Sequence, residues 1–359
     1  MINEPSYNQN TFRNCNFAKS ALMICVILGH SLAFWSDGWF SAIEPVYSCV
    51  WLGWLANWFG SFHIYAFTLI SGFIYYYLKC ERSHYDDAKV FITKKARRLI
   101  VPYFFMAIIW VAPISCFFYH YSLLDVFYYY VLGTSPGQLW FLLMLFEVFI
   151  IFNLSFKFFS KHRILSLTLI IILHIIGFVG LMISFKNYFQ IFTSFYYLIF
   201  FYLGYKIREY YTIFFRKEGI SLNNKSFLFS LSLINVIGYM AYVWLSSFEG
   251  SMYYSFFKRL IFEFLNFEGA VTSFALLMKI GNKIGDVNSK LVNMFNDNNF
   301  VMYLFHQQLI YFSIFWLNGV VVPEVNAFIN FVFSFTTSLV ISIVLHKVKF
   351  VRILLGEGR

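Results

Sequence analysis

The sequence has little charge and carries no motif of a familiar soluble enzyme. Only 12% of its 359 residues are Asp, Glu, Lys or Arg, about half the share that a soluble domain carries. It contains no Walker loop, no GxGxxG, no GxSxG and no zinc-ligand spacing. These absences remove the usual sequence grounds for assigning a nucleotide-binding domain, a serine hydrolase or a metalloenzyme.

Cysteine is also sparse, with five residues scattered without a CxxC pair. Only Cys49 and Cys116 are expected near an oxidising face, and this spacing gives little reason to expect a bridge between them. The polar stretch 1–16 has no cleavable signal pattern, so the first apolar segment is expected to remain as a helix. The sequence predicts no bound metal.

Apolar residues are abundant, at 60% of the chain, and aromatic residues alone make up 23%. A soluble globule cannot cover so much apolar surface, and a disordered chain needs the opposite composition. The net charge of +10 comes from positive residues placed between apolar runs, which is not the basic face of a nucleic-acid-binding protein. The composition therefore predicts a polytopic membrane protein that binds no nucleic acid.

Apolar runs of about 20 residues predict membrane-spanning helices, and ten such runs indicate an all-α fold. The candidate spans are 17–35, 57–78, 99–118, 138–156, 164–184, 189–205, 227–246, 260–278, 298–318 and 327–346. The aromatic stretch 121–132 is too short to span and is expected to lie at the membrane interface. If the N-terminus is cytoplasmic, 24 of the 27 Lys and Arg residues fall inside.

This asymmetry predicts that both termini are cytoplasmic, by the positive-inside rule. Residues 1–359 are interpreted as one transmembrane domain, with a cytoplasmic N-terminal segment at 1–16 and a cytoplasmic tail at 347–359. No linker separates a second domain, and no internal repeat is visible.

Ionisable residues inside the spans are the candidates for function, because burying them in a membrane is costly. Lys19 and His30 are eleven residues apart, so they share one helix face with a rise of about 16 Å between them. His63 is expected at a depth similar to that of His30 on the next span, and His306 falls near the middle of a later one. Lys19 alone also fits a snorkelling anchor, and each His alone fits a structural role.

The cytoplasmic sequence FITKKARRLIVPYF contains Lys94, Lys95, Arg97 and Arg98. The cluster has two interpretations, a topology signal of the positive-inside kind or a phosphate-binding site, since Arg forks match phosphate oxygens. Charge alone does not separate them.

The fourth span begins with Gln138 and Trp140 at the outer edge and buries Glu147, which makes these three residues candidates for substrate binding. In a later span, Glu263 is expected to pair with Arg259 one turn earlier, a structural contact. Histidines within the membrane, together with this cluster of basic residues on the cytoplasmic side, favour two classes of function. One is a transferase that uses a phosphate-bearing donor, and the other is a glycan flippase or polymerase without acyl-CoA chemistry.

Several stretches resemble integral-membrane acyltransferase family 3, the bacterial acyltransferases that modify surface polysaccharides such as O-antigen. They are Lys19 followed by His30 within LGHS, SFHIYAFTLISGF at 61–73, FITKKARRLIVPYF at 91–104, QLWFLLMLF at 138–146 and MYLFHQQLI at 302–310. The family has Arg-x-x-Arg where this chain has Lys95-x-x-Arg98, with Lys94-x-x-Arg97 as the competing register.

The resemblance implies a single-domain O-acetyltransferase of the bacterial inner membrane, with acetyl-CoA as donor and a lipid-linked or polymeric glycan as acceptor. His30 is expected to be the catalytic base or the acyl acceptor, with His63 or His306 orienting it or binding the oxyanion. Lys19, Lys95, Arg98 and Arg97 are expected to bind the donor phosphates, and Gln138, Trp140, Glu147 and His306 to contact the acceptor.

Overall fold

The computed structural model describes residues 4–36, 39–183, 185–211, 214, 222, 224–248, 250–284 and 290–357. Within these ranges the chain is helical and contains no β-strand, so the predicted all-α polytopic membrane fold is confirmed. The segments that connect the predicted spans at 206–226 and 279–297 lie partly outside the described residues. The same holds for the first three residues of the N-terminal segment and the last two of the tail.

The fold is built from helices of different lengths. In chain order they are α1 (Glu4–Leu32), α2 (Val50–Gly60), α3 (His63–Tyr76), α4 (Ala88–Met106), α5 (Ala112–Tyr119), α6 (Leu123–Val126), α7 (Trp140–Leu154), α8 (Phe156–Lys161), α9 (Arg163–Met182), α10 (Ile191–Glu209), α11 (Lys225–Ser246), α12 (Met252–Ile284), α13 (Lys290–Leu317), α14 (Pro323–Leu345) and α15 (Lys349–Leu354). A π-helical turn at Ala107–Val111 joins α4 to α5, and Pro113 follows it. Proline lacks the N–H that an α-helix needs, and a π-turn accommodates such an irregularity.

Eight segments among the described residues are long and apolar enough to cross a membrane. The predicted spans 57–78 and 189–205 are not among them, for two physical reasons. Ser61 and Phe62 interrupt the first, leaving α3 with only 14 residues. Helix α10 contains four tyrosines and ends in charged residues, which lowers its hydropathy. The count of ten spans, with both termini on one side, stays a prediction.

Helices α3 and α10 pack with their backbones in contact. A Cβ atom added to Gly72 would lie 1.9 Å from the carbonyl oxygen of Phe201, and one added to Gly204 would lie 1.8 Å from that of Leu69. Only glycine permits this approach, which is the usual way in which membrane helices pack tightly. The contact holds α3, and with it His63, in the centre of the bundle.

The remaining helices divide into an inner and an outer group. In α13, 72% of the spanning window is buried within the protein, whereas the value is 22% in α9, 17% in α11 and 22% in α14. The outer helices present their apolar side chains to the surroundings, as lipid-facing helices do. Helices α1, α3 and α13 form the inner part, and each carries one of the three candidate histidines.

Candidate functional site

Three histidines from three different helices meet inside the bundle. His30 Nδ1 lies 2.9 Å from His306 Nε2, and the two rings are nearly parallel, with their centroids 5.1 Å apart. His63 stands edge-on to His30 at a centroid distance of 6.4 Å. The structure therefore brings together side chains that are 276 residues apart in sequence.

The hydrogen bonds of His306 determine which nitrogen of His30 is free. His306 Nδ1 lies 2.7 Å from the carbonyl oxygen of Tyr303, and a carbonyl only accepts, so this nitrogen carries a proton. Burial away from water favours the uncharged ring, whose Nε2 then accepts a hydrogen bond from His30 Nδ1. A neutral His30 is left with an unprotonated Nε2, the atom that a general base or nucleophile needs.

The same argument applies to His63, whose Nδ1 donates to the carbonyl oxygen of Phe59. As a neutral ring, His63 offers Nε2 only as an acceptor. This arrangement suits a residue that orients a hydroxyl group. It does not suit one that stabilises an oxyanion, which requires a donor.

Aromatic side chains surround His30 on the side of the α1–α2 connection. The ring centroid of Trp39 lies 5.3 Å from that of His30 and 5.3 Å from that of Tyr311, and Phe40 stacks on Tyr311 at 4.1 Å. His306 and His63 are buried, whereas His30 is only half-buried. Sequence reasoning missed Trp39, because its position in a connecting loop gives no periodic signal that links it to α13.

Gln138 lies close to the histidines but its amide is occupied by protein partners. Its Nε2 donates to Gln308 Oε1 at 2.5 Å and to the carbonyl oxygen of Leu304 at 3.2 Å, and its Oε1 accepts from Gln308 Nε2 at 2.9 Å. The hydroxyl of Tyr303 donates to the backbone carbonyl of Gln138. These bonds tie the start of α7 to the turn of α13 that ends at His306.

The other two candidate acceptor residues lie about two turns apart on α7. Trp140 is half-buried and packs on Tyr197, with 5.6 Å between ring centroids. Glu147 is also half-buried, and its Oε2 has no hydrogen-bond partner within the described part of the chain.

The predicted pair of Arg259 and Glu263 forms, with Nη2 and Oε1 3.2 Å apart, and Glu263 Oε2 accepts from the hydroxyl of Tyr196 at 2.6 Å.

A cavity of about 220 Å³ lies among the inner helices, and we call it the inner cavity. Lys19, Lys95 and Arg98 line one part of it, which we call the basic end. Apolar side chains from α1, α3 and α7 form most of the remaining wall. Arg97 is exposed and is not among the lining residues, so the register Lys95-x-x-Arg98 is the one that faces this space.

The other end of the inner cavity approaches the histidines. Val26, Ile64 and Tyr303 line it, and they are four, one and three residues from His30, His63 and His306. Four helical residues rise about 6 Å, so the cavity ends within about one turn of the histidine cluster.

The cations of the basic end have few acidic partners. No Asp or Glu oxygen in the described part of the chain lies within 4.0 Å of the ammonium nitrogen of Lys19 or Lys95. The Lys95 nitrogen lies 3.6 Å from the centre of the Phe149 ring. Buried charge without an opposite charge is unfavourable, so this end is suited to an anion.

Arg98 differs because the C-terminal segment reaches it. Its Nη1 lies 3.1 Å from the carbonyl oxygen of Gly356 and 3.7 Å from Glu357 Oε1, and its guanidinium stacks over Phe300 at 4.3 Å. Gly356 has a positive φ of 73°, and a Cβ there would lie 2.8 Å from the Arg98 carbonyl oxygen. The contact between tail and basic end was not foreseen from sequence, because the tail carries no motif.

Comparison with known proteins identifies the family of the chain. The model of the acyltransferase domain family matches residues 13–347, which include all the helices that carry the histidines and the basic end. No curated protein and no solved structure matches the chain. Because the family model covers nearly the whole sequence, the chain belongs to acyltransferase family 3 and is a multi-pass membrane acyltransferase.

Proposed function

We propose that this protein transfers an acetyl group from acetyl-CoA to a hydroxyl group of a surface polysaccharide or lipid-linked glycan in the bacterial inner membrane. The observation that carries the proposal is the inner cavity, which has cations at one end and ends near three histidines at the other. An acyl-CoA has the same polarity, with phosphates at one end and the thioester at the other. The positive-inside asymmetry assigns the basic end to the cytoplasm, where acetyl-CoA is made.

In this proposal, Lys19, Lys95 and Arg98 bind phosphate oxygens of the donor, and the pantetheine arm lies along the apolar wall of the inner cavity. The rise of about 16 Å between Lys19 and His30 matches the reach of that arm. Arg97 is assigned to topology, since it faces away from the cavity.

His30 Nε2 removes the proton of the acceptor hydroxyl, whose oxygen attacks the thioester carbonyl. The tetrahedral intermediate collapses, the carbon–sulfur bond breaks, and the proton on His30 passes to the leaving thiolate, giving the ester and CoA-SH. His306 keeps His30 in the required tautomer. The reacting hydroxyl gives its single proton to His30, so His63 Nε2 accepts a hydrogen bond from a neighbouring hydroxyl of the acceptor and orients it. The same lone pair also suits an acetyl-imidazole intermediate, which mass spectrometry of rapidly quenched enzyme would reveal on His30.

The contacts of Gln138, Trp140 and Glu147 favour different roles for these three candidate acceptor-binding residues. Trp140 and Glu147 retain free surface or an unsatisfied oxygen, so we assign acceptor binding to them. Gln138 is assigned to the support of α13.

The test supplies membranes carrying the protein with radiolabelled acetyl-CoA and follows label into the glycan fraction. We expect transfer with the wild type and none with His30→Ala, at equal amounts of folded protein. Absence of His30-dependent transfer from both acetyl-CoA and succinyl-CoA, with the host glycan present, would contradict the proposal and favour an acyltransferase that uses another donor or acceptor.

A further inference from the structure

A second cavity, of about 500 Å³, lies next to the basic end, and we call it the outer cavity. It is formed by α1, the end of α3 and α13, and it is more polar than the inner cavity. Arg13, Arg82 and Asn296 are among its lining residues, together with the rings of Phe12 and Tyr77. The function proposed above assigns no role to any of them.

The two cavities share two of their walls. Asn16 lines the outer cavity and Lys19, one turn later on α1, lines the inner one. On α13, Asn296 lines the outer cavity and Asn299, one turn later, lines the inner one. The hydroxyl of Ser20 joins that pair, donating to Asn296 Oδ1 at 2.7 Å and accepting from Asn299 Nδ2 at 3.0 Å. A ligand that fills both cavities would therefore pass beside Lys19 and Ser20.

Arg82 is held in place at the outer cavity without being neutralised. Arg82 Nε donates to the Tyr77 hydroxyl at 2.9 Å, and its guanidinium lies over the Tyr77 ring at 5.4 Å. Neither Arg13 nor Arg82 makes an ion pair with a carboxylate in the ranges that the structure describes. The terminal nitrogens of Arg82 thus remain available for phosphate, which guanidinium groups bind in a bidentate manner.

The other lining groups suit a nucleoside. The exposed ring of Phe12 offers aromatic surface near the arginines, on which a base can stack. The ring of Tyr77, with its centroid 6.5 Å from that of Phe12, is buried and already lies against the guanidinium groups of Arg82 and Arg208. The amide of Asn16 can recognise the edge of a base. A carboxylate in the lining, that of Asp297, is exposed and can accept a hydrogen bond from a ribose hydroxyl or an exocyclic amine.

Size separates the roles of the two cavities. The inner cavity, at about 220 Å³, is below the range of about 300 to 1,000 Å³ that is typical for a small-molecule site. The outer cavity lies within that range. These sizes fit an acyl-CoA whose pantetheine arm lies in the inner cavity and whose phosphorylated nucleoside lies in the outer one.

We propose that the outer cavity binds the 3′-phosphorylated adenosine end of the donor, with Arg13 and Arg82 as its phosphate ligands. This inference rests on the proposed function, because it names the nucleotide subsite of the same donor. It predicts that the enzyme distinguishes donors by their nucleotide end, far from the thioester.

The kinetic test compares acetyl-CoA, acetyl-3′-dephospho-CoA and S-acetyl-pantetheine as donors. For the wild type we expect KM to rise about tenfold on loss of the 3′-phosphate, since it loses a charge-assisted contact. Arg82→Gln and Arg13→Gln should raise KM for acetyl-CoA by a similar factor and leave KM for S-acetyl-pantetheine unchanged. Lys89→Gln, which removes an exposed positive charge outside both cavities, should change none of these values. Equal KM shifts for all three donors, or no shift in the arginine variants, would overturn the assignment.

A binding test separates this inference from the reaction itself. Adenosine 3′,5′-bisphosphate should raise the thermal unfolding temperature of the wild type in phosphatidylcholine nanodiscs, and should not do so for Arg82→Gln. If the wild type gains no stability from this nucleotide, the nucleotide subsite is wrong even where acetyl transfer is intact. If phosphatidylglycerol instead gives an Arg82-dependent gain and the nucleotide gives none, the outer cavity binds lipid headgroups. Nucleotide binding without any His30-dependent transfer would support the subsite and contradict the acetyltransferase.

Discussion

The two ends of the inner cavity differ in how far their polar and charged groups are satisfied by other groups of the protein. At the histidine end, Tyr303, His306 and His30 form a chain of hydrogen bonds in which each donor has an acceptor and no charge is needed. At the basic end, Lys19 and Lys95 have no carboxylate partner in the described part of the chain, and the ammonium group of Lys95 packs against aromatic rings. One end is complete without a ligand, and the other is suited to receive an anion.

This difference has a consequence for mutations. A group that fixes the protonation pattern of a catalytic base affects the rate of the chemical step. A group that binds donor phosphate in the same way before and during the reaction affects KM and leaves kcat largely unchanged. We therefore expect kcat effects at the histidine end and KM effects at the basic end.

The largest effect is expected when the hydrogen-bond chain is broken at His306. His306→Phe removes the acceptor for His30 Nδ1, so the free lone pair is no longer fixed at Nε2. We expect kcat to fall by about 100- to 10,000-fold, the usual contribution of general acid–base catalysis, with KM for acetyl-CoA changed little. Initial rates at varied acetyl-CoA concentration measure both parameters.

His306→Gln serves as the matched control, because its side-chain oxygen can accept from His30 Nδ1. It should retain more activity than His306→Phe at equal thermal stability. Equal activity of His306→Gln and His306→Phe would show that His306 acts by packing alone. The expected contrast, with kcat effects at the histidine end and KM effects at the basic end, would then be wrong.

The next effect tests the basic end. Lys95→Met keeps the apolar stem against Phe149 and removes the charge. We expect KM for acetyl-CoA to rise about tenfold or more, since a charge-assisted hydrogen bond contributes about 1.5–3 kcal/mol, while kcat stays within about twofold of the wild type. The same measurement on Arg97→Met, whose side chain lies outside the inner cavity, should show a much smaller change. A tenfold effect in Arg97→Met without one in Lys95→Met would favour the competing register.

Gln138 tests whether the histidine end depends on its scaffold. Gln138→Ala leaves the amide of Gln308 without its partner in a buried site, which costs about 1–3 kcal/mol. We expect a lower thermal unfolding temperature and a kcat reduced by less than about tenfold, because α13 loses a tie next to His306. Unchanged stability with a raised KM for the acceptor would instead restore Gln138 to substrate binding, the role suggested by its sequence position.

Local patterns predicted the parts of the site that depend on a single helix. Lys19 and His30 share one face of α1 because eleven residues make close to three turns, and Arg259 and Glu263 pair because they are one turn apart. Hydropathy predicted the outer helices well, since their apolar faces contact lipid all along their length. It was less informative for α3 and α10, whose tyrosines and glycines serve contacts inside the protein.

The remaining features depend on contacts between distant segments. The bond between His30 and His306 requires α1 and α13 to be neighbours, and no local pattern encodes that pairing. The assignment of the Gln138 amide to Gln308 and the approach of Glu357 to Arg98 have the same origin. Residue type indicated which groups are unusual in a membrane, but only the packing of helices shows which of them are already satisfied.

The smallest effect concerns the tail, which within the described residues is the one acidic element at the basic end. Glu357 lies 3.7 Å from Arg98, and its other oxygen accepts from His346, so part of the Arg98 charge is offset before the donor binds. Glu357→Gln removes that competition and should lower KM for acetyl-CoA. The change should be at most about fivefold, because Arg98 is 45% exposed and ion pairs of this kind contribute about 0.2–1 kcal/mol. The effect should shrink at high salt, where the pair is screened. A raised KM in Glu357→Gln at both low and high salt would mean that the tail positions Arg98 for the donor, and that the basic end, like the histidine end, is assembled before its ligand arrives.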